Sequence, residues 1–530
     1  MNNLEDLVHT IISGNYEKVS SSLTLFSENY GSKMQFDELY ASGLLEDVWK
    51  ALFSYLSDLD YSLIHDRCLT ALRIFSRDNT RLSKLVTTER LQTVLKFARL
   101  THLHDQNDLT DSKIIIESLK LLCNLLFNST AVLQMLLSDT SWLSCLIKRI
   151  QCYSDATPTD MKLFDLRILF LITALDVAAR KNVKDNFSGD VHLVNMLKDI
   201  SRHPSPDDSE KQEENCKLAS EILKILFNLY MHSDEVSVED CKKYNELVHV
   251  LNELLLNENG PQQETLHSNI INLLTVIPVD YCSQIVQPIQ STECTAVYRN
   301  MDMTAISLLL IFLNQKLDIE TNLVENICPV VTALIRLVKA EKLIRKYCRM
   351  QVLPPLKDVM KRPEEGTSLR AKLCKLLTTP YTELRDLVAE FLFVLCKENV
   401  ERMIKYTGYG NAAGMFANKG LLGRRQPDNE YSSDSEDSDT EEYIKHKERI
   451  NPVTGCYESP KPNPLEGMTE EQKEYEALQL VNLMDKLTRD GVVQPCRVGE
   501  DGKPKPLEHV LELQSELPKQ QLHHNDSESD

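Results

Sequence analysis

The chain has 530 residues, 42% of them hydrophobic and 26% charged, a globular balance but too long for one ordinary core. Its formal charge of −20 argues against a nucleic-acid partner, because phosphate binding needs a concentrated cationic surface. With only 16 glycines and 6% aromatics against abundant leucine, the composition favours helices over a β fold.

The start, Met1-Asn-Asn-Leu-Glu-Asp6, lacks a basic region followed by an apolar one, so no signal peptide is expected. No apolar run reaches bilayer length, Leu308–Leu313 falling far short, so no membrane insertion is expected. The fourteen cysteines are scattered singly with no CxxC pair, and Cys123 and Cys396 sit inside apolar runs. Buried free thiols in a reducing, cytoplasmic setting are the expectation.

Helical periodicity then runs along the chain to about residue 405, in Ile114–Phe127, Leu163–Val177, Leu218–Met231, Ala305–Leu313 and Leu384–Cys396. These runs resemble one another. Leu119-Lys-Leu-Leu-Cys-Asn124-Leu matches Leu223-Lys-Ile-Leu-Phe-Asn228-Leu and Ile270-Ile-Asn272-Leu-Leu, with looser copies ending at Arg77 and Leu171. Taking Arg77, Asn124, Leu171, Asn228 and Asn272 as equivalent, the steps are 47, 47, 57 and 44 residues. That period belongs to armadillo/HEAT arrays. The long step holds the polar stretch from His203 to Glu214, expected as a surface loop. An all-α armadillo/HEAT-like helical-repeat solenoid over residues 1–425 follows, with a long concave face for gripping a partner.

On that face, Asn124, Asn228 and Asn272 occupy matching places from which an amide can bond a partner's backbone. Arg73 and Arg77, one turn apart, and Arg167 can line the same wall. For each residue taken alone, a solvated helix face is the plain alternative. A denser basic stripe, Lys339, Lys342, Arg345, Lys346 and Arg349, suits an anionic segment. There is no GxxxxGK[ST], GxSxG or HExxH, and no clustered metal-ligand spacing, so neither catalysis by side chains nor a cofactor or metal is expected.

After the last apolar run comes the densest glycine cluster, Gly408, Gly410 and Gly414, a mark of specially shaped backbone. Composition then changes: from Gln426 onward there are 25 acidic against 11 basic residues. Residues 426–465 are expected to be an acidic, Ser- and Pro-rich linker that buries too little to fold. Within it, Ser433 and Ser438 carry a Glu three residues on, the spacing preferred by an acid-directed kinase such as casein kinase 2, with Ser435 and Thr440 weaker sites. Phosphate there can dock on the basic stripe; an unmodified solubilising linker is the alternative.

One more helix is expected within 466–491. Thr469-Glu-Glu-Gln472 reads as a capping box, Gly491 as a stop, and Ala477, Leu480, Val481, Met484 and Leu487 form one apolar stripe. Flanked by flexible segments, it either folds back or docks on the partner. Residues 492–530 complete a largely disordered tail.

Several long strings resemble the synembryn family. They are Glu117-Ser-Leu-Lys120, the stretch Phe164–Leu175, Gln351–Asp358, Ala389–Cys396, Lys405-Tyr-Thr-Gly-Tyr-Gly-Asn-Ala-Ala-Gly414, the acidic serine run, Ile450-Asn-Pro-Val-Thr-Gly455 and Asn463–Lys473. The resemblance implies a cytosolic armadillo/HEAT chaperone and guanine nucleotide exchange factor for heterotrimeric G-protein α subunits. Such proteins bind GDP-loaded α without βγ, hold the nucleotide-free form and release it on GTP binding. It further implies that Arg73, Arg77, Asn124, Phe164 and Arg167 grip the α subunit's C-terminal helix, and that the late helix touches its nucleotide-binding domain. A monomer is expected. A peptide-binding adaptor and a structural scaffold are the competing readings, and deletion of the late helix separates exchange factor from adaptor.

Overall fold

The computed structural model describes residues 4–101, 112–202, 208–231, 238–257, 260–289, 294–422, 439–459, 465–499 and 502–507. They are overwhelmingly helical and divide into two compact units, Met1–Ile285 and Val286–Asp530. The helical-repeat expectation holds.

In the first unit, α1 (Tyr16–Tyr30), α2 (His65–Phe75), α4 (Ser112–Asn128), α6 (Thr159–Leu175), α8 (Ser209–Tyr230) and α10 (Gln263–Leu274) pack one on the next as a single row. Helices α3 (Thr88–Phe97), α5 (Ser141–Gln151), α7 (Gly189–Arg202) and α9 (Val238–Leu256) back α4, α6, α8 and α10 respectively. A row helix is therefore covered on three sides, which is why its apolar residues exceed one stripe. In α4, for instance, Ile115, Leu119, Leu121, Leu122, Leu125 and Leu126 are all buried.

Local chemistry sets the ends. The run expected over Leu163–Val177 stops at Leu175, because the Asp176 carboxylate accepts the Ala179 N–H at 2.6 Å and starts a new short helix. The polar stretch expected as a loop is partly helical. Asp208 accepts the Lys211 N–H at 3.1 Å, and Glu210 to Glu214, good helix formers, make the first turns of α8. Residues 203–207 of that stretch lie outside the described residues.

The second unit opens with three two-residue antiparallel strands, β1 (Gln287–Pro288), β2 (Val297–Tyr298) and β3 (Met301–Asp302), in the order β1-β3-β2. Helix α11 (Thr304–Lys316) follows, then α12 (Leu323–Ala340), α13 (Lys342–Val352), α14 (Thr382–Leu395), α15 (Val400–Thr407) and α16 (Tyr409–Lys419). Helix α14 packs against α12, α13, α15 and α16. Its Leu384, Val388, Phe391, Leu392 and Leu395 are at 0% exposure, so it is the core of this unit.

Residues 439–459, inside the expected linker, are packed. They form α17 (Glu441–His446) and a hairpin of β4 (Ile450–Asn451) and β5 (Cys456–Tyr457) laid on the end of the helices. Helix α18 (Glu470–Arg489) follows with its capping box as expected, Thr469 Oγ1 accepting the Gln472 N–H at 3.3 Å and Gln472 Oε1 the Thr469 N–H at 3.1 Å. Gly491, at φ +70°, ends it. A last hairpin pairs β6 (Cys496–Val498) with β7 (Pro504–Pro506).

All fourteen cysteines are free thiols. Burial pushes Cys68, Cys348 and Cys374 up to about 12, so they stay protonated and unreactive. No single helix is long and apolar enough to cross a membrane among the described residues.

Candidate partner-binding surfaces

The row helices of the first unit bring most of the expected concave-face residues together. Arg73 on α2 donates its Nε–H to Glu117 Oε2 on α4 at 2.8 Å, and Lys120 meets the other oxygen of Glu117 at 3.0 Å. Burial alone would raise the Glu117 carboxyl, but Arg73 and Lys120 hold it below the usual carboxylate range. Two turns of the array later the arrangement repeats. Arg167 on α6 reaches Glu221 Oε1 on α8 at 2.8 Å, and Lys224 meets Glu221 Oε2 at 2.8 Å.

Arg73, Lys120, Arg167 and Lys224 are thus one rung each of a single cationic row, and three acids, Glu117, Asp160 and Glu221, serve the four cations. Phe164 sits among them half-buried, with Lys120 Nζ at 5.3 Å and the Arg167 guanidinium at 5.5 Å from its ring centre. The residues are held by neighbours yet keep exposed area. Reading the sequence missed Lys120 and Lys224. Their signal was present, since 73, 120, 167 and 224 share the spacing of the repeat.

Arg77 departs from its expected place. It lies in the turn after α2, not one helical turn above Arg73, and donates from Nη1 to the Gly31 carbonyl at the end of α1. Burial and then the charge of Arg73 lower its pKa. The asparagines are also engaged inside the array. Asn124 Nδ2 donates to the Arg73 carbonyl at 3.0 Å and to Ser76 Oγ at 3.2 Å. Asn228 Nδ2 donates to the Phe170 carbonyl at 3.2 Å and to Thr173 Oγ1 at 3.1 Å. Asn128 and Asn257 do the same to the Ser76 and Ser201 carbonyls, at 2.9 and 3.1 Å.

Asn124, Asn128 and Asn257 satisfy carbonyls left open where the preceding repeat's helix ends, while Asn228 bonds the Phe170 carbonyl and the Thr173 hydroxyl in the last turns of α6. The repeated asparagine is therefore first a bond between repeats, and what it can still offer a partner is its amide oxygen. Asn272 lies half-exposed at the matching place on α10.

In the second unit the basic stripe is graded. Lys342 is exposed, Arg345 donates to the Val338 carbonyl at 3.1 Å, and Lys346 is 8% exposed. Lys339 pairs with Glu390, and Arg349 Nη2 donates to Tyr406 Oη at 2.9 Å. Beside Tyr406, Lys405 binds the Asp439 carboxylate and lies 4.5 Å from the Tyr443 ring centre. Lys447 meets the same Asp439 at 3.2 Å, so the described end of the acidic segment is anchored at Lys405, next to the stripe.

Thr440 caps α17, its Oγ1 accepting the Tyr443 N–H at 3.1 Å and donating to the Leu356 carbonyl. In this arrangement its hydroxyl is committed to structure. Ser433, Ser435 and Ser438 lie outside the described residues.

Helix α18 buries no residue. Of the expected stripe, Ala477 and Leu480 are exposed, while Val481, Met484 and Leu487 are partly covered. Tyr475, Leu478 and Leu483 add further exposed apolar area, all above half exposure. Among the described residues no group of three or more His, Cys, Asp or Glu is placed to hold a metal ion.

The sequence model of the guanine nucleotide exchange factor synembryn matches residues 68–503, which includes the cationic row, the stripe and α18. The protein named chaperone Ric-8 from Drosophila pseudoobscura pseudoobscura is 38% identical, over 96% of both chains. Chaperone Ric-8A from Gallus gallus is 37% identical, again over 96% of each. Among solved structures, a chain of the SYS-1/POP-1 complex aligns with a TM-score of 0.51 at 13% identity, over 80% of this chain and 70% of that one, a likeness of fold alone. The chain belongs to the synembryn family of guanine nucleotide exchange factors, whose curated members are named as chaperones.

Proposed function

We propose that the protein is a cytoplasmic chaperone and exchange factor for heterotrimeric G-protein α subunits. It binds the GDP-loaded α subunit without βγ, holds the nucleotide-free state and releases it when GTP binds. The observation that carries this reading is the family match over residues 68–503, which spans both candidate surfaces. The row Arg73, Lys120, Phe164, Arg167 and Lys224 supports it as a preorganised, cation-rich face for one segment of the partner. The unburied apolar face of α18 supports it as a second contact.

Exchange of this kind needs no bond chemistry. A factor that binds the empty α subunit better than the GDP form must weaken GDP affinity by the same ratio, and holding an unstable empty form is itself chaperoning. The test is GDP release from a panel of purified α subunits, with co-purification before and after GTP. Faster release and a complex dissolved by GTP are expected. No acceleration with any α subunit, from protein that folds normally, overturns the exchange reading.

A further inference from the structure

Beneath the cationic row lies a buried ion pair that the exchange reading does not use. Arg149 on α5 is 7% exposed and Asp165 on α6 is 0% exposed. The guanidinium grips the carboxylate with two N–H groups, the Nε contact at 2.9 Å, and its Nη1 donates to the Ala98 carbonyl at the end of α3 at 2.7 Å. Tyr153 Oη donates to Asp165 Oδ2 at 3.0 Å. Burial pushes the Asp165 carboxyl up, against the pull of Arg149 and the Tyr153 hydroxyl. Such a pair is weak evidence for stability, since desolvating both charges offsets most of their attraction. Its presence calls for another reason.

The reason lies in α6 itself. Met161, Leu163, Phe164, Leu166, Ile168, Leu169, Phe170, Leu171 and Ile172 put apolar groups on nearly every side of this helix. A helix with a clear apolar stripe has one preferred rotation; one apolar all round has several of similar energy. Apolar packing against α4, α5 and α8 therefore specifies the rotation of α6 poorly. One residue's slip turns the helix by about 100° and would carry Phe164 and Arg167 off the cationic row. Asp165 is the one acid in the buried middle of α6, and it accepts a bidentate fork from a guanidinium that is also tied to α3. Only one rotation of α6 presents that carboxylate to that fork.

We propose that the Arg149–Asp165 pair is a register lock, which fixes the rotation of α6 so that Phe164 and Arg167 stand on the partner-binding row. The pair holds α3, α5 and α6 in one arrangement and acts on the partner only through them, as a positioning element. Its use in binding rests on the exchange reading above; the lock itself does not.

The experiment takes the full-length protein with Arg149→Met, Asp165→Leu and Tyr153→Phe together, an apolar replacement of similar volume that leaves no charge orphaned. Arg149→Lys is made in parallel; it keeps the charge, loses the fork, and stays informative if the triple variant does not fold. Three quantities are read: the thermal midpoint, hydrogen exchange across residues 159–175, and the lifetime of the nucleotide-free α-subunit complex.

The lock predicts an unchanged or higher midpoint for the triple variant, amide exchange in α6 at least tenfold faster, and a complex lifetime at least fivefold shorter. Arg149→Lys should show both changes in smaller measure. Wild-type exchange protection in α6 in whichever variant folds overturns the proposal. Lost protection with a wild-type complex lifetime supports the lock and overturns the reading of the row as the partner site.

Discussion

Two segments follow the helical array of the second unit, and their fates differ. Residues 439–459 are short, polar and poor in apolar area, yet they are docked, with Tyr443 and Cys456 each 8% exposed. Helix α18 carries far more apolar surface and fully buries none of it, with Leu480 at 62% exposure. The contrast shows that apolar area does not by itself decide attachment here. The strap is held by backbone hydrogen bonds: Tyr409 and Gly410 N–H groups, the open donors at the start of α16, give to the Pro452 and Val453 carbonyls at 2.8 and 2.9 Å. The Tyr457 N–H gives to the Val359 carbonyl at 2.7 Å. An apolar stripe without such partners stays available to another molecule.

Close backbone approach is what permits those bonds, and it is the first place to break the contrast. Gly408 has φ +75° and Gly455 φ +69°. A Cβ on Gly455 would stand 2.7 Å from Pro363 Cγ, and one on Gly408 would stand 3.1 Å from the Val453 carbonyl oxygen. Gly455→Val meets both left-handed strain and a clash, and should destabilise the second unit by about 2–3 kcal/mol. Denaturant unfolding reads this, together with fast amide exchange over 450–457. A stability within about 0.5 kcal/mol of wild type would mean the strap merely rests on the helices.

How much of this could be read beforehand follows from what each feature needs. The capping box at Thr469 and the stop at Gly491 are local, so a few neighbouring letters carry them. The repeat was legible because similar helices must present similar faces to their neighbours. The glycine cluster at 408–414 was legible as unusual backbone, but not its cause, since Gly455 and Pro363 become neighbours only by folding. Lys405 went unread because its partner Asp439 lies in a stretch whose composition resembles a linker. Arg149 and Asp165 sit on different helices, and each alone looks like an ordinary surface charge. The asparagines were legible as special, but not the bonds between repeats that their amides make, because those carbonyls come within reach only on folding.

The other half of the contrast is sharpened on α18. Leu480→Gln with Met484→Gln keeps helix propensity and removes apolar area from the stripe. Because no residue of α18 is buried, unfolding free energy should stay within about 0.5 kcal/mol of wild type. Binding of the nucleotide-free α subunit should weaken about tenfold, roughly 1.4 kcal/mol. Equal affinity by titration calorimetry would remove α18 from the proposed interface, while a loss of stability would mean it has a hidden attachment.

The smallest effect concerns the polar anchor of the strap. Lys405 binds Asp439 and lies over the Tyr443 ring, an attachment about three-quarters shielded from water, with side chains 20% and 23% exposed. Lys405→Met should cost about 1 kcal/mol or less, because a pair near the surface gains little net energy. The pH dependence distinguishes this anchor from the backbone bonds. The hydrogen bond from Lys405 outweighs burial and holds the Asp439 carboxyl below its usual range. A depressed carboxylate contributes stability that is present above the unfolded value and lost as pH falls through the folded one, so the anchor is intact above about pH 5 and fades below about pH 4. The Lys405→Met protein should lack that component. If wild type and variant differ in amide exchange over 439–446 by the same factor at pH 6 and near pH 3, the Asp439 charge contributes nothing to the anchor.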